Sequence, residues 1–122
     1  MIEEAYCNPE IAELLKEKGM PKKCFTHYIQ KNNSDGTSEA ITTCTHQMAM
    51  KWLRKVHNIF ICIIPSEVGA GVMDYTYVLY KIDAKNFYFE NLGIQGRAKN
   101  ISEISYEEAV EAAIQFSLKN LI

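Results

Sequence analysis

The chain has 122 residues, of which 48% are apolar and 23% charged, a length that one core fills and a composition that excludes global disorder. A formal net charge of −2 weighs against a protein that coats nucleic acid through overall basicity. No apolar run nears the roughly 20 residues of a membrane helix, and the opening "MIEEAYCNPE" is acidic rather than basic then apolar, so the expectation is a soluble cytoplasmic protein, one domain over residues 1–122, with no membrane partner.

Asn8-Pro9 followed by "EIAELLKEKG" carries helix-start chemistry: Asn8 as N-cap, Pro9 at the first helical position, Glu10 in the first turn, and Gly19 as the stop. Ile11, Leu14 and Leu15 form its narrow apolar stripe. "CFTHYIQ", residues 24–30, is rich in strand formers, and "KNNSDGTSE" after it is turn chemistry, so with "AITTCT" it predicts a hairpin. Thr45 then caps a helix over 46–57, with Met48, Ala49, Trp52, Leu53 and Val56 at helical spacing on one face and Lys51, Arg54 and Lys55 opposite. Ile59 to Ile64 reads as a buried strand closed by Pro65, and "SEVGAGV" as a flexible connection.

Residues 75–82, "YTYVLYKI", and 87–92, "FYFENL", predict a second hairpin that pairs Ile82 with Phe87 and Tyr80 with Phe89. The period of two puts Val78, Tyr80, Ile82, Phe87 and Phe89 on one face, the expected core side. Tyr75, Tyr77, Leu79, Lys81, Tyr88, Glu90 and Leu92 fall on the other, an amphipathic mixture. After the loop "GIQGRAKNISEI", Ser105 to Glu108 is a capping box that opens a last helix, whose expected buried stripe is Tyr106, Val110, Ala113, Ile114, Leu118 and Leu121. The order is α-β-β-α-β-β-β-α, an α+β fold with a mainly antiparallel sheet and helices on one face.

The charge is uneven along the chain. Residues 1–15 hold four acids and no base, 16–57 eight bases against three acids, and 58–122 five against eight. A basic middle of this kind faces an anionic partner or is a mixed solvated surface. Lys51, Arg54 and Lys55 are the residues that would contact phosphates if nucleic acid is bound, with tyrosines on a sheet face available to stack on bases.

Cys7, Cys24, Cys44 and Cys62 include no Cys-x-x-Cys pair, so their spacing is poor for zinc and suits reduced, mostly buried thiols; no metal and no cofactor is expected. Cys44 lies just before a helix N-terminus, where the dipole lowers a thiol pKa, and His27 on the preceding strand is the imidazole a Cys44 hydrolase would need. No oxyanion-forming or phosphate-binding glycine pattern accompanies it. Trp52, sharing its stripe with Met48 and Val56, reads as a core anchor, and His46 and His57 as helix-end residues, His57 being favoured by the dipole when protonated.

The segments "THQMAMKWLRKVHNI" and "SYEEAVEAAIQFSLKNLI", about a quarter of the chain, resemble the corresponding pieces of small uncharacterised proteins encoded by gut Bacteroidetes and by their prophages and other mobile elements. The resemblance implies a cytosolic accessory protein of phage or mobile-element origin and transfers no functional residue. The leading expectation is a non-enzymatic interaction protein that binds a protein partner, or another copy of itself as a homodimer, through Tyr77, Leu79, Tyr88 and Leu92. The alternatives are nucleic-acid binding through the basic helix and, more distantly, Cys44-dependent hydrolysis.

Overall fold

A computed structural model describes the backbone of residues 5–69, 71–83, 88–95 and 105–122, and the side chains of these except at 66–69, 72–73, 82–83 and 88–95. The elements are α1 (Pro9–Glu17), a 3₁₀ turn (Lys22–Cys24), β1 (His27–Asn32), β2 (Ser38–Thr43), α2 (His46–His57), β3 (Ile59–Gly69), β4 (Val72–Asp83), β5 (Tyr88–Gln95) and α3 (Tyr106–Asn120). The class is α+β, as the sequence implies, but the strands divide into an antiparallel pair β1-β2 and a separate antiparallel sheet in the order β3-β4-β5. The expected single sheet is thus replaced by two small ones.

The helix ends follow their local chemistry. Ile11 N donates to Asn8 Oδ1 at 2.9 Å, and Met48 N to Thr45 Oγ1 at 3.1 Å, each filling an acceptor the N-cap offers to an otherwise unpaired amide. The capping box closes in both directions, with Glu108 N donating to Ser105 Oγ at 3.1 Å and Ser105 N to Glu108 Oε1 at 3.0 Å. Helix α2 ends on Asn58 in the left-handed region, φ 56°, whose N–H donates to the Leu53 carbonyl.

Strand β3 runs past Pro65, which pairs with Tyr75, and "SEVGAGV" belongs to a β-hairpin rather than a loose connection. β3 lies at the edge of its sheet, where a proline's missing N–H removes no ladder bond if that position faces outward. Gly71, at φ +78°, supplies the positive φ that the tight turn between Gly69 and Val72 needs.

The register of β4 on β5 differs from expectation by two residues: Ile82 pairs with Phe89 and Tyr80 with Asn91, while Phe87 lies outside the described residues. A bulge between Val78 and Tyr80 leaves Leu92 and Gly93 opposite Leu79.

The main core gathers Ile11 and Leu15 of α1, Ala49, Trp52 and Leu53 of α2, Ile59 of β3, and Val110, Ile114 and Leu118 of α3. The α2 stripe is narrower than expected, since Met48 and Val56 are exposed and His46 is buried in their stead. Tyr106 is likewise exposed; its ring meets Tyr75 edge-on at 5.8 Å. Helix α3 also covers Tyr77 and Leu79, packing Ala113 against them with Ile61, Ile63 and Phe116 alongside. Among the described residues, no helix is long and apolar enough to cross a membrane.

Candidate functional site

A cleft of about 380 Å³ opens between the 3₁₀ turn and start of β1 on one side and the first turns of α2 on the other. Thr26, His27 and Cys24 form one wall; Thr45, Gln47, Met48, Lys51 and Arg54 form the other. Helical geometry explains the second wall, because positions 47, 48, 51 and 54 recur at three- and four-residue steps along one side of α2. Lys51 and Arg54 therefore face the same space as a histidine, two threonine hydroxyls and a glutamine amide. Lys55 is exposed on the same helix but does not line the cleft.

The cations of this region are not equally available. Lys31 is ion-paired to Glu13, and Lys16 donates to the Thr42 carbonyl at 2.8 Å while lying 5.1 Å over the Phe25 ring. Among the described residues, Lys51, Arg54 and Lys55 have no acidic partner, and α2 carries no acid in its sequence. Tyr6 adds an aromatic edge: its ring sits 4.5 Å from His27, tilted by 38°, and remains partly exposed. The sequence names Lys51, Arg54 and Lys55 from helical spacing alone. It gives no local signal for Thr26 or Gln47 as cleft residues, or for Tyr6, which comes beside the cleft through its ring contact with His27 and its bridge to Thr45.

The residues expected to form a partner surface are placed differently. Tyr77 is 2% exposed and Leu79 0%, both beneath α3, so at these two positions the face is internal. Burial also pushes the Tyr77 hydroxyl up to about 12. The assignment of faces is thereby corrected: both sides of the hairpin are apolar enough to bury, and alternation alone does not say which one a helix 25 or more residues away in sequence will cover. Val78, on the expected core side, is buried as well, while Cys62 and Ile64 of β3 on that side are exposed. The side chains of Tyr88 and Leu92 lie outside the described residues.

Cys44 does not form the nucleophile site the hydrolase reading requires. It is 1% exposed, and its sulfur lies 4.0 Å from that of Cys7, itself 0% exposed, whereas His27 lines the open cleft. The contact moves the two thiols in opposite directions: the Cys7 thiol holds Cys44 below the usual range, and the same contact, with burial and the Glu111 charge, pushes Cys7 up. His46 is buried nearby with Nε2 3.5 Å from Glu111 Oε2, within ion-pair reach but without hydrogen-bond geometry. Glu111 Oε2 in turn accepts from Asn8 N at 3.0 Å. Among the described residues, no group of three His, Cys, Asp or Glu side chains is arranged to hold a metal ion.

No protein-family model, curated protein or solved structure matches this chain.

Proposed function

We propose that this protein binds single-stranded nucleic acid through the basic side of α2, its cleft receiving backbone phosphates. The observation that carries the reading is the convergence of Lys51 and Arg54 on one open cleft with His27, Thr26, Thr45 and Gln47. Cations with no acidic partner among the described residues supply sequence-independent attraction, and hydroxyl and amide groups supply hydrogen bonds to phosphate oxygens. The Tyr6–His27 ring pair at the edge offers a stacking surface for an unpaired base, which a base inside a duplex cannot reach. The overall charge of −2 does not oppose this, because the acids concentrate outside residues 16–57. The accessory role in a phage or mobile element and the cytoplasmic location belong to the same proposal and rest on the resemblance.

The interaction-protein reading loses ground for a specific reason: Tyr77 and Leu79, two of its four contact residues, are inside the chain. The test is fluorescence anisotropy with a labelled mixed-sequence single-stranded oligonucleotide. Arg54→Glu and Lys51→Glu should each weaken binding by about tenfold or more. Lys119→Gln, at the far end of α3 and paired with Glu10, should leave it unchanged. Equal affinity across all three variants, or no binding by the native chain at low salt, refutes the proposal.

A further inference from the structure

We infer that Cys7 and Cys44 are a built site for a reversible intramolecular disulfide, oxidised by exchange with a small-molecule disulfide of the glutathione class. The pair comes together because residues 5–7 run antiparallel to residues 44–46. Tyr6 bridges Thr45, Cys7 N donates to the Cys44 carbonyl at 2.9 Å, and His46 N donates to the Ala5 carbonyl at 3.0 Å. That register sets Cys7 directly across from Cys44. Facing residues in an antiparallel pair have Cα atoms about 4.5 to 5.5 Å apart, inside the roughly 4.4 to 6.8 Å window a disulfide spans. The sulfurs already stand 4.0 Å apart, so side-chain rotation without a change of backbone pairing brings them to bonding distance.

Position and exposure set this pair apart from the other two thiols. Cys24 is half-buried and Cys62 exposed, on different elements, while Cys7 and Cys44 contact each other away from solvent. Access to them requires local opening of the Cys7 segment, which is held by one bridge, its flanking backbone bonds, a bond from Thr43 Oγ1 to the Cys7 carbonyl at 2.7 Å, the Asn8 N bond to Glu111 and the Tyr6–His27 ring contact. Such a short pairing opens locally at far lower cost than the whole domain. Once the segment opens, Cys44, which immediately precedes the N-cap of α2, supplies the attacking thiolate, favoured by the positive end of that helix.

The step balances as ordinary thiol–disulfide exchange. The Cys44 thiolate attacks one sulfur of oxidised glutathione, forming a mixed disulfide and releasing one glutathione thiolate. The Cys7 thiolate attacks the Cys44 sulfur, forming the Cys7–Cys44 bond and releasing the second. The protein loses two electrons and two protons, and one glutathione disulfide becomes two thiols. The new bond closes a loop between residues 37 apart and ties Tyr6, whose ring lies on His27, to Thr45, the cap of α2.

The test uses the full chain carrying Cys24→Ser and Cys62→Ser, together with the wild type, incubated natively with an excess of oxidised glutathione. Peptide mapping should show a Cys7–Cys44 linkage in both, with the Cys24→Ser, Cys62→Ser monomer lighter by two hydrogens, and dithiothreitol should reverse it. The oxidised monomer should melt roughly 15 °C higher than the reduced one, as closing a loop of this length implies. In the Cys24→Ser, Cys62→Ser chain, a stable glutathione adduct, a disulfide-linked dimer, or native protein that stays fully reduced would each overturn the inference, because two thiols that merely fill core give one of those results.

Discussion

Truncating Leu79 separates an internal face from an exposed one. Leu79 is 0% exposed and packs with Tyr77 against Ala113 of α3. Leu79→Ala removes three carbons from this contact, a transfer loss of about 2 to 2.5 kcal/mol at ~0.8 kcal/mol per methylene. The space left beneath a rigid helix adds a cavity cost, so the total should be about 3 to 4 kcal/mol. For a chain of 122 residues, an unfolding entropy near 0.26 kcal/mol/K turns this into a fall in Tm of roughly 12 to 15 °C. Urea unfolding followed by far-UV circular dichroism measures it as a lower midpoint with an unchanged m-value. A loss under about 1 kcal/mol, together with a change of oligomeric state, would show that the Tyr77–Leu79 face is a surface and refute the packing described above.

Trp52→Ala should cost about 3 to 5 kcal/mol in the same assay, because the indole is buried on the core side of α2 with its ring 4.7 Å from that of His57. Asn58→Gly should raise the melting temperature slightly or leave it unchanged, while Asn58→Val should lower stability by about 1 to 2 kcal/mol, since φ 56° disfavours a branched side chain. His57 has its pKa lowered from 6.5 by burial and then by the Lys81 charge, so the fold favours the neutral ring. The unfolded chain binds more protons between that lowered value and 6.5; the contribution of His57 is intact above about 6.5 and is lost as pH falls through the window. In chemical denaturation at stepped pH, His57→Gln should flatten this part of the stability profile.

The readings that succeeded rest on chemistry confined to a few neighbouring residues. Asn8, Thr45 and Ser105 are caps because a short polar side chain precedes an apolar period, and α2 falls on the expected residues, 46–57. Those that failed depend on contacts between distant segments. Alternation in 75–82 defines two faces, but only the placement of α3 decides that Tyr77 and Leu79 are the covered ones. His57 illustrates the same limit: its position at a helix end favours the proton, yet burial beside Trp52 and Lys81 wins. Pro65 reads as a stop because the sequence does not reveal that β3 is an edge strand. The basic triad is legible as residues but not as a site, since Thr26 and His27 join Lys51 and Arg54 only when the chain entering β1 is brought across the cleft from α2. The Cys7–Cys44 contact has no local signature at all.

The central claim, that the basic side of α2 engages phosphates, is tested most directly by the salt dependence of oligonucleotide binding. Phosphate contacts from Lys51 and Arg54, the cations that line the cleft, predict a slope of log affinity against log salt of about −1.4 for a single strand, a loss of roughly sevenfold between about 50 and about 200 mM. Arg54→Glu should make that slope shallower by about 0.7 to 1. Binding whose affinity is independent of salt, or a slope that Arg54→Glu leaves unchanged, would contradict the account.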